Sequence, residues 1–422
     1  MKWVWLLLGA LLATTRASAV ELYRPGLTSL DLGGDVKSYY IGIWPYDYPL
    51  LPEAPWGQGL LDARVKLEAG IGDWLRFSLH HDLAIAAGPQ LSGFGLALGS
   101  SSGEAMPQLL DLSWNIVDAT GYSINLRVDR AALLLKLPHV DFSVGRQPIS
   151  FGSTFFFTPL DLVAPFSPTV IDREYKPGID ALRGDLFLGT SGKLTLVAAY
   201  AGDWDLAGSI LAAHAGATLW NWDVGLFLGE VREQAVLGVD TTGALLGVAV
   251  RGEATATFAR SEDPFARVAL GLDKRFDFGL SLMGELYWQS NGAAKPADYL
   301  AVATDARHRR GELWAMGRYY AALSASYELL PIVNVGLFSV VNLADPSALL
   351  GPSLHWSVAD NADLVVGGYY GLGDRPTDPK LPAIDPVTGQ PLGPTDPAHL
   401  IEARSEFGLS PAGVYVELKV YY

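Results

Sequence analysis

The chain contains no cysteine, which removes disulfide frameworks and thiolate metal sites from consideration. Charge is scarce as well. Asp, Glu, Lys and Arg make up 18% of the residues, below the roughly 25% of an ordinary soluble domain, whereas apolar residues make up 50%. Long apolar runs are also lacking. Only the stretch from Trp3 to Ala13 is continuous, and Arg16 interrupts it well short of the about 20 residues a membrane-spanning helix needs. There is no Gly/Ser linker, no break in composition and no run of like charge, so residues 20–422 read as one domain. A net charge of -15 without a basic run gives no reason to expect a nucleic-acid partner.

The short apolar run has its own meaning. Met1 and Lys2 form a basic start, and Ala17, Ser18 and Ala19 form a small-x-small cleavage site. Residues 1–19 therefore read as a signal peptide, with the mature chain beginning at Val20 outside the cytoplasm. An exported, apolar chain without helical spans leaves a closed β-barrel as the main membrane option, because open sheet edges are not tolerated in lipid.

Such a barrel requires period-2 alternation in segments of about ten residues separated by turns. Leu61, Ala63, Val65 and Leu67 alternate with Asp62, Arg64, Lys66 and Glu68. After a turn, Leu75, Phe77 and Leu79 alternate with Arg76, Ser78 and His80. A helix would scatter these charges around its circumference, whereas a strand puts them on one side. The pattern returns at 248–258, 280–289 and 318–329. It is plainest at the end, where Val414, Val416, Leu418, Val420 and Tyr422 oppose Tyr415, Glu417, Lys419 and Tyr421.

Short and long connections alternate. Tight turns near Gly72, Pro138, Ser191, Trp222, Thr242, Asp277, Pro331 and Asn361 are assigned to the periplasm. Segments 44–59, 87–121, 150–177, 290–316 and 372–401 are assigned to the outside. The expected fold is an all-β transmembrane antiparallel barrel of about 18 strands, with 16 as the alternative because residues 223–258 are poorly delimited.

A cation at mid-membrane on the lipid face costs about 2–4 kcal/mol, so the charged rows face inward. Sixteen or more strands enclose a lumen too wide for wall side chains to fill. Inward acids and bases nearly balance, as with Arg251 and Glu253. The acidity collects instead in loops, including Asp374, Asp378, Asp385, Asp396 and Glu402. Selectivity is then expected where the channel is narrowest.

The candidate for that point is the connection 150–177, within GRQPISFGSTFFFTPLDLVAPFSPTVIDREYKPGIDALRG from Gly145 to Gly184. Loops beyond about 12–15 residues are uncommon and tend to be functional. Phe155, Phe156 and Phe157 are poorly suited to water, and Pro159, Pro165, Pro168 and Pro177 stiffen the chain. The expected constriction comprises Arg146, the three phenylalanines, Asp161, Asp172, Arg173, Glu174, Lys176 and Arg183, with Arg251 and Glu253 on the lumen wall.

GRQPISFG, followed by TPLDLVAPFSP and GIDALR, resembles the wall-and-loop segment of Gram-negative outer-membrane porins, in particular alginate-export-like and phosphate-selective-like barrels. NLADPSALLGPSLHWSVADNADL, from Asn342 to Leu364, is similar to a hairpin near the C-terminus of such proteins. The aromatic Tyr422 on a final amphipathic strand resembles the terminal signal that the outer-membrane assembly machinery reads. These resemblances imply the bacterial outer membrane, contact with its lipid, and passive or substrate-preferring diffusion of small hydrophilic solutes. Arg146, Arg173 and Arg183 match the positions of lumenal bases. The strongly basic lumen of the export family is absent, so no substrate carries over. A homo-oligomer is compatible with the pattern, and no cofactor or metal is expected.

Two other classes fit the sequence less well. A barrel hydrolase needs a Ser or Asp and a His on one face, but His80 and His81 point to opposite faces and His139, His214 and His355 are isolated in sequence. No catalytic residue is assigned. A plugged or surface-binding barrel would use the Pro- and Asp-rich segment from Pro376 to Pro397, a composition that turns also require.

Overall fold

Strand alternation becomes a closed wall because the first long strand pairs with the last. The structure is a computed structural model. It describes residues 20–23, 28–46, 54–88, 107–163, 174–260, 263–309, 312–377, 383–384, 391–392 and 402–422. The expected signal peptide, Asp172, Arg173, Asp378, Asp385 and Asp396 lie outside these residues.

The wall has 18 strands. The first nine are Thr28–Trp44 (β1), Trp56–Ile71 (β2), Leu75–Ala87 (β3), Tyr122–Lys136 (β4), Val140–Gln147 (β5), Ile179–Leu188 (β6), Gly192–Tyr200 (β7), Ser209–Leu219 (β8) and Trp222–Val231 (β9). The others are Gln234–Leu245 (β10), Val248–Ala259 (β11), Phe265–Arg275 (β12), Leu280–Gln289 (β13), Tyr319–Leu330 (β14), Val333–Asn342 (β15), Ser347–Ala359 (β16), Ala362–Leu372 (β17) and Ala412–Tyr421 (β18). Each pairs antiparallel with the next. β18 pairs back onto β1, from Asp35 opposite Tyr421 to Trp44 opposite Ala412.

Three two-residue turns, Trp220-Asn221, Arg232-Glu233 and Leu246-Gly247, hold both residues at positive φ. Consecutive left-handed residues give a turn whose twist matches that of the flanking strands. The last of these corrects the turn expected near Thr242. β10 continues through Thr242, which pairs with Arg251, and turns only at Leu246-Gly247. Thr241-Thr242-Gly243 has turn-like composition, but the pair able to take positive φ lies further on.

The expected loop 87–121 contains a strand, Ser113–Ala119, paired to the loop end of β4. The expected loop 290–316 contains short helices at Tyr299–Ala303 and Ala306–Arg309. The count is 18 rather than the alternative 16.

Alternation sorts the two faces of the wall. Leu270, Leu286 and Leu323 are more than half exposed on the outside, as a lipid-facing belt requires. Arg64, Asp82, Glu253, Glu285 and Glu417 point inward and are nonetheless buried, so chain inside the barrel covers them. Two apolar clusters lie there. One joins Ile149, Phe151, Leu160, Leu162 and Val163 to the inner face of β6–β10. The other joins Phe156 and Phe157 to the remaining wall, from Ala269 on β12 round to Ile41 on β1.

Candidate functional site

The connection from β5 to β6 turns into the lumen. At its root, Gln147 donates Nε2-H to the Ala181 carbonyl (3.1 Å) and accepts from the Ser143 hydroxyl (2.5 Å). Gly152 has φ +93, and a Cβ there would lie 2.6 Å from Glu253 Oε1, so only glycine lets the backbone approach this carboxylate.

Five consecutive amides then meet two wall carboxylates. Glu253 on β11 accepts the N-H of Ser153 (2.5 Å), the N-H and hydroxyl of Thr154 (2.7 and 2.6 Å) and the N-H of Leu160 (3.0 Å). Glu285 on β13 accepts the N-H groups of Phe155 (3.0 Å), Phe156 (3.4 Å) and Phe157 (2.6 Å). Successive amides converging on a carboxylate form an anion-binding nest, here filled by the wall itself. Basic wall residues hold the carbonyls: Arg251 donates to Ser153 O (3.1 Å) and Arg267 to Pro159 O (2.9 Å).

The three phenylalanines differ in environment. Phe157 stacks against Tyr287 at 4.4 Å and Trp314 at 4.9 Å and is 2% exposed. Phe156 is buried beside Phe338. Phe155 remains 41% exposed, with the Arg251 guanidinium 4.4 Å above its ring. Arg251 also pairs with Asp273 at 3.1 Å.

Asp161 and Lys176 join the two limbs of the loop at 2.5 Å. Burial pushes the Asp161 carboxyl up to about 6 and lowers the Lys176 ammonium. The second limb packs on the opposite wall. Glu174 binds Lys37 (3.0 Å) and Lys419 (2.7 Å). Tyr175 lies between the Arg64 and Arg130 guanidiniums, 3.7 and 4.0 Å from its ring centre. Its hydroxyl meets His80 Nδ1, while His80 Nε2 bonds Glu68 at 2.6 Å.

Arg183 pairs with Asp185 at 3.0 Å on the lumen face of β6. Arg146 sits differently. It follows the parity of the exposed Phe142 and Val144, on the outer side of β5. There it is buried by residues 109–112, pairing with Asp180 (2.9 Å) and donating to the carbonyls of Val128 and Leu110. Leu109 N-H also donates to Asp180. β4 and β5 pair only from Ala131 to Lys136, and this ion pair fastens the chain that continues the wall beyond that point.

Sequence reasoning missed Glu285, Tyr175, Lys37, Lys419, Arg64 and His80 as loop partners. Tyr175 lies in the loop itself, and the others sit on their strands' polar rows, the one available signal, but nothing in the spacing says which loop residue meets which wall residue. It also missed a second inward segment, 402–410. Glu406 accepts from Met316 N-H (2.9 Å), Asn342 Nδ2 (2.6 Å) and the Tyr320 hydroxyl, and burial pushes it up to about 7. Phe407 follows it into the lumen cluster. Among the described residues, no three His, Cys, Asp or Glu side chains are grouped to hold a metal ion.

Solved structures share this architecture. OccD3 (OpdP) of Pseudomonas aeruginosa superposes with a TM-score of 0.53 at 9% identity, over 96% of this chain and 93% of that one. OccK9 (OpdG) of the same species gives 0.54 at 10% identity, over 94% and 97%. A BenF-like porin from Pseudomonas fluorescens Pf-5 gives 0.52 at 9% identity, over 93% and 99%. The fold is that of the bacterial outer-membrane porins. No family sequence model and no curated protein matches the chain. What is shared is the barrel fold, reached at very low sequence identity.

Proposed function

We propose that this porin barrel is an outer-membrane channel for diffusion of small hydrophilic solutes, with the loop 150–177 as its constriction. The carrying observation is the set of five consecutive amides fixed on Glu253 and Glu285, which holds an aromatic segment rigidly across the lumen. An inward loop on a wide barrel sets both the radius and the field that a solute meets. Phe155, Arg251 and Asp273 supply the water-facing surface of the first limb, and Glu174 that of the second. The likeness of 145–184 and 342–364 to alginate-export-like and phosphate-selective-like barrels belongs to this reading and names no solute.

A plugged barrel is the second reading, favoured by the segments 312–318 and 402–410 that pack on the same lumen cluster as the loop. Purified protein in a planar lipid bilayer separates the two. Discrete ion-conducting steps support the channel; a membrane that stays sealed at all voltages supports the plug.

A further inference from the structure

The closing seam of the barrel places Lys37 of β1 directly opposite Lys419 of β18. Like charges facing each other across a ladder repel, and these two are 2% and 7% exposed, where water screens them little. The carboxylate of Glu174 lies across both: Oε2 is 3.0 Å from Lys37 Nζ, Oε1 is 2.7 Å from Lys419 Nζ, and the Tyr421 hydroxyl adds a contact at 3.3 Å. The neighbouring acids are Asp35 and Glu417. Asp35 is 2.5 Å from Lys66, and Glu417 is 3.5 Å from Lys419. Together the ammonium groups hold the Glu174 carboxyl below its usual range, against the opposing effect of burial. Glu174 is the sole member of the bridge that belongs to the loop, and its side chain is 49% exposed, so the lumen meets the negative partner while the positive pair lies beneath.

We propose that Glu174 is a specificity-determining residue of the channel. By bridging the facing lysines it offsets one of their two positive charges on this side of the lumen, so ion preference depends on the second limb being docked at the seam. This rests on the channel reading above.

The test is the reversal potential in a KCl gradient across a planar bilayer, with heat-dependent electrophoretic mobility of the folded barrel as a second readout. In Glu174→Gln the Cl⁻/K⁺ permeability ratio is expected to rise at least about threefold. Adding Lys37→Met to that variant restores the native sum of charges and leaves Lys419 beside Glu417, so it should return the ratio to the native value, and Glu174→Asp should hold it. Conductance with an unchanged ratio overturns the proposal, as does a rise that persists in the double variant. Should Glu174→Gln fail to assemble, assembly of the double variant supports the bridge and its failure overturns it. If neither native protein nor variants conduct, the channel reading fails and mobility decides: a Glu174→Gln barrel as heat-resistant as the native one removes the bridge too.

Discussion

Replacing Glu285 by Gln tests how firmly the loop is held. The carboxylate is 2% exposed and accepts three backbone N-H groups from Phe155, Phe156 and Phe157. Hydrogen bonds to a charged acceptor contribute about 1.5–3 kcal/mol each, against about 0.5–1.5 for neutral pairs, and a buried donor left unpaired costs about 1–3. Glutamine keeps one oxygen and turns an NH₂ toward donors it cannot serve. A net loss of about 2–4 kcal/mol follows, raising the population of the detached loop roughly 30- to 1000-fold. The absence of cysteine makes this measurable. Val163, in the loop and 1% exposed, can be changed to Cys and its modification by a water-soluble thiol reagent timed. Labelling should accelerate by that factor when Glu285→Gln is added. Equal rates in the two backgrounds would refute the view that wall carboxylates pin the loop.

Three further outcomes follow from the same geometry. Phe157→Ala removes a ring held between Tyr287 and Trp314 and should cost about 3–5 kcal/mol, enlarging conductance steps and lowering the temperature at which the folded electrophoretic band is lost. Phe155→Ala, at a half-exposed ring, should cost about 1 kcal/mol or less. Arg146→Met leaves Asp180 without its ion-pair partner beneath residues 109–112 and should cost about 3–5 kcal/mol. Its ion preference should stay native, and Arg146→Met with Asp180→Leu should recover most of the heat resistance.

The wall was legible because lipid and water impose a strict period of 2: one face of every strand meets hydrocarbon, and residues 61–68 and 414–422 alternate accordingly, as the strands of a soluble sandwich with one solvated face also would. The turn after β10 was not, because Thr241-Thr242-Gly243 and Leu246-Gly247 both have turn composition and only backbone geometry decides between them. The loop's length and its phenylalanines marked 150–177 as unusual. What anchors it lay beyond the pattern, since Glu285 is 130 residues from Phe155 and Lys419 is 245 from Glu174, and alternation carries no information about such pairings. Arg146 shows the limit from the other side. The pattern alone predicts that a charged residue on a strand faces the lumen, yet a local cover of chain and an Asp partner let it occupy the outer parity.

The Glu174 bridge also bears on how the last strand finds its place. Because side chains alternate, a slip of β18 by one residue against β1 would send Glu417, Lys419 and Tyr421 to the lipid side, where charged side chains are disfavoured. It would also withdraw Lys419 from Glu174. A segment from the middle of the chain thus reports on the alignment of its two ends, and only the correct register satisfies hydrocarbon and carboxylate together.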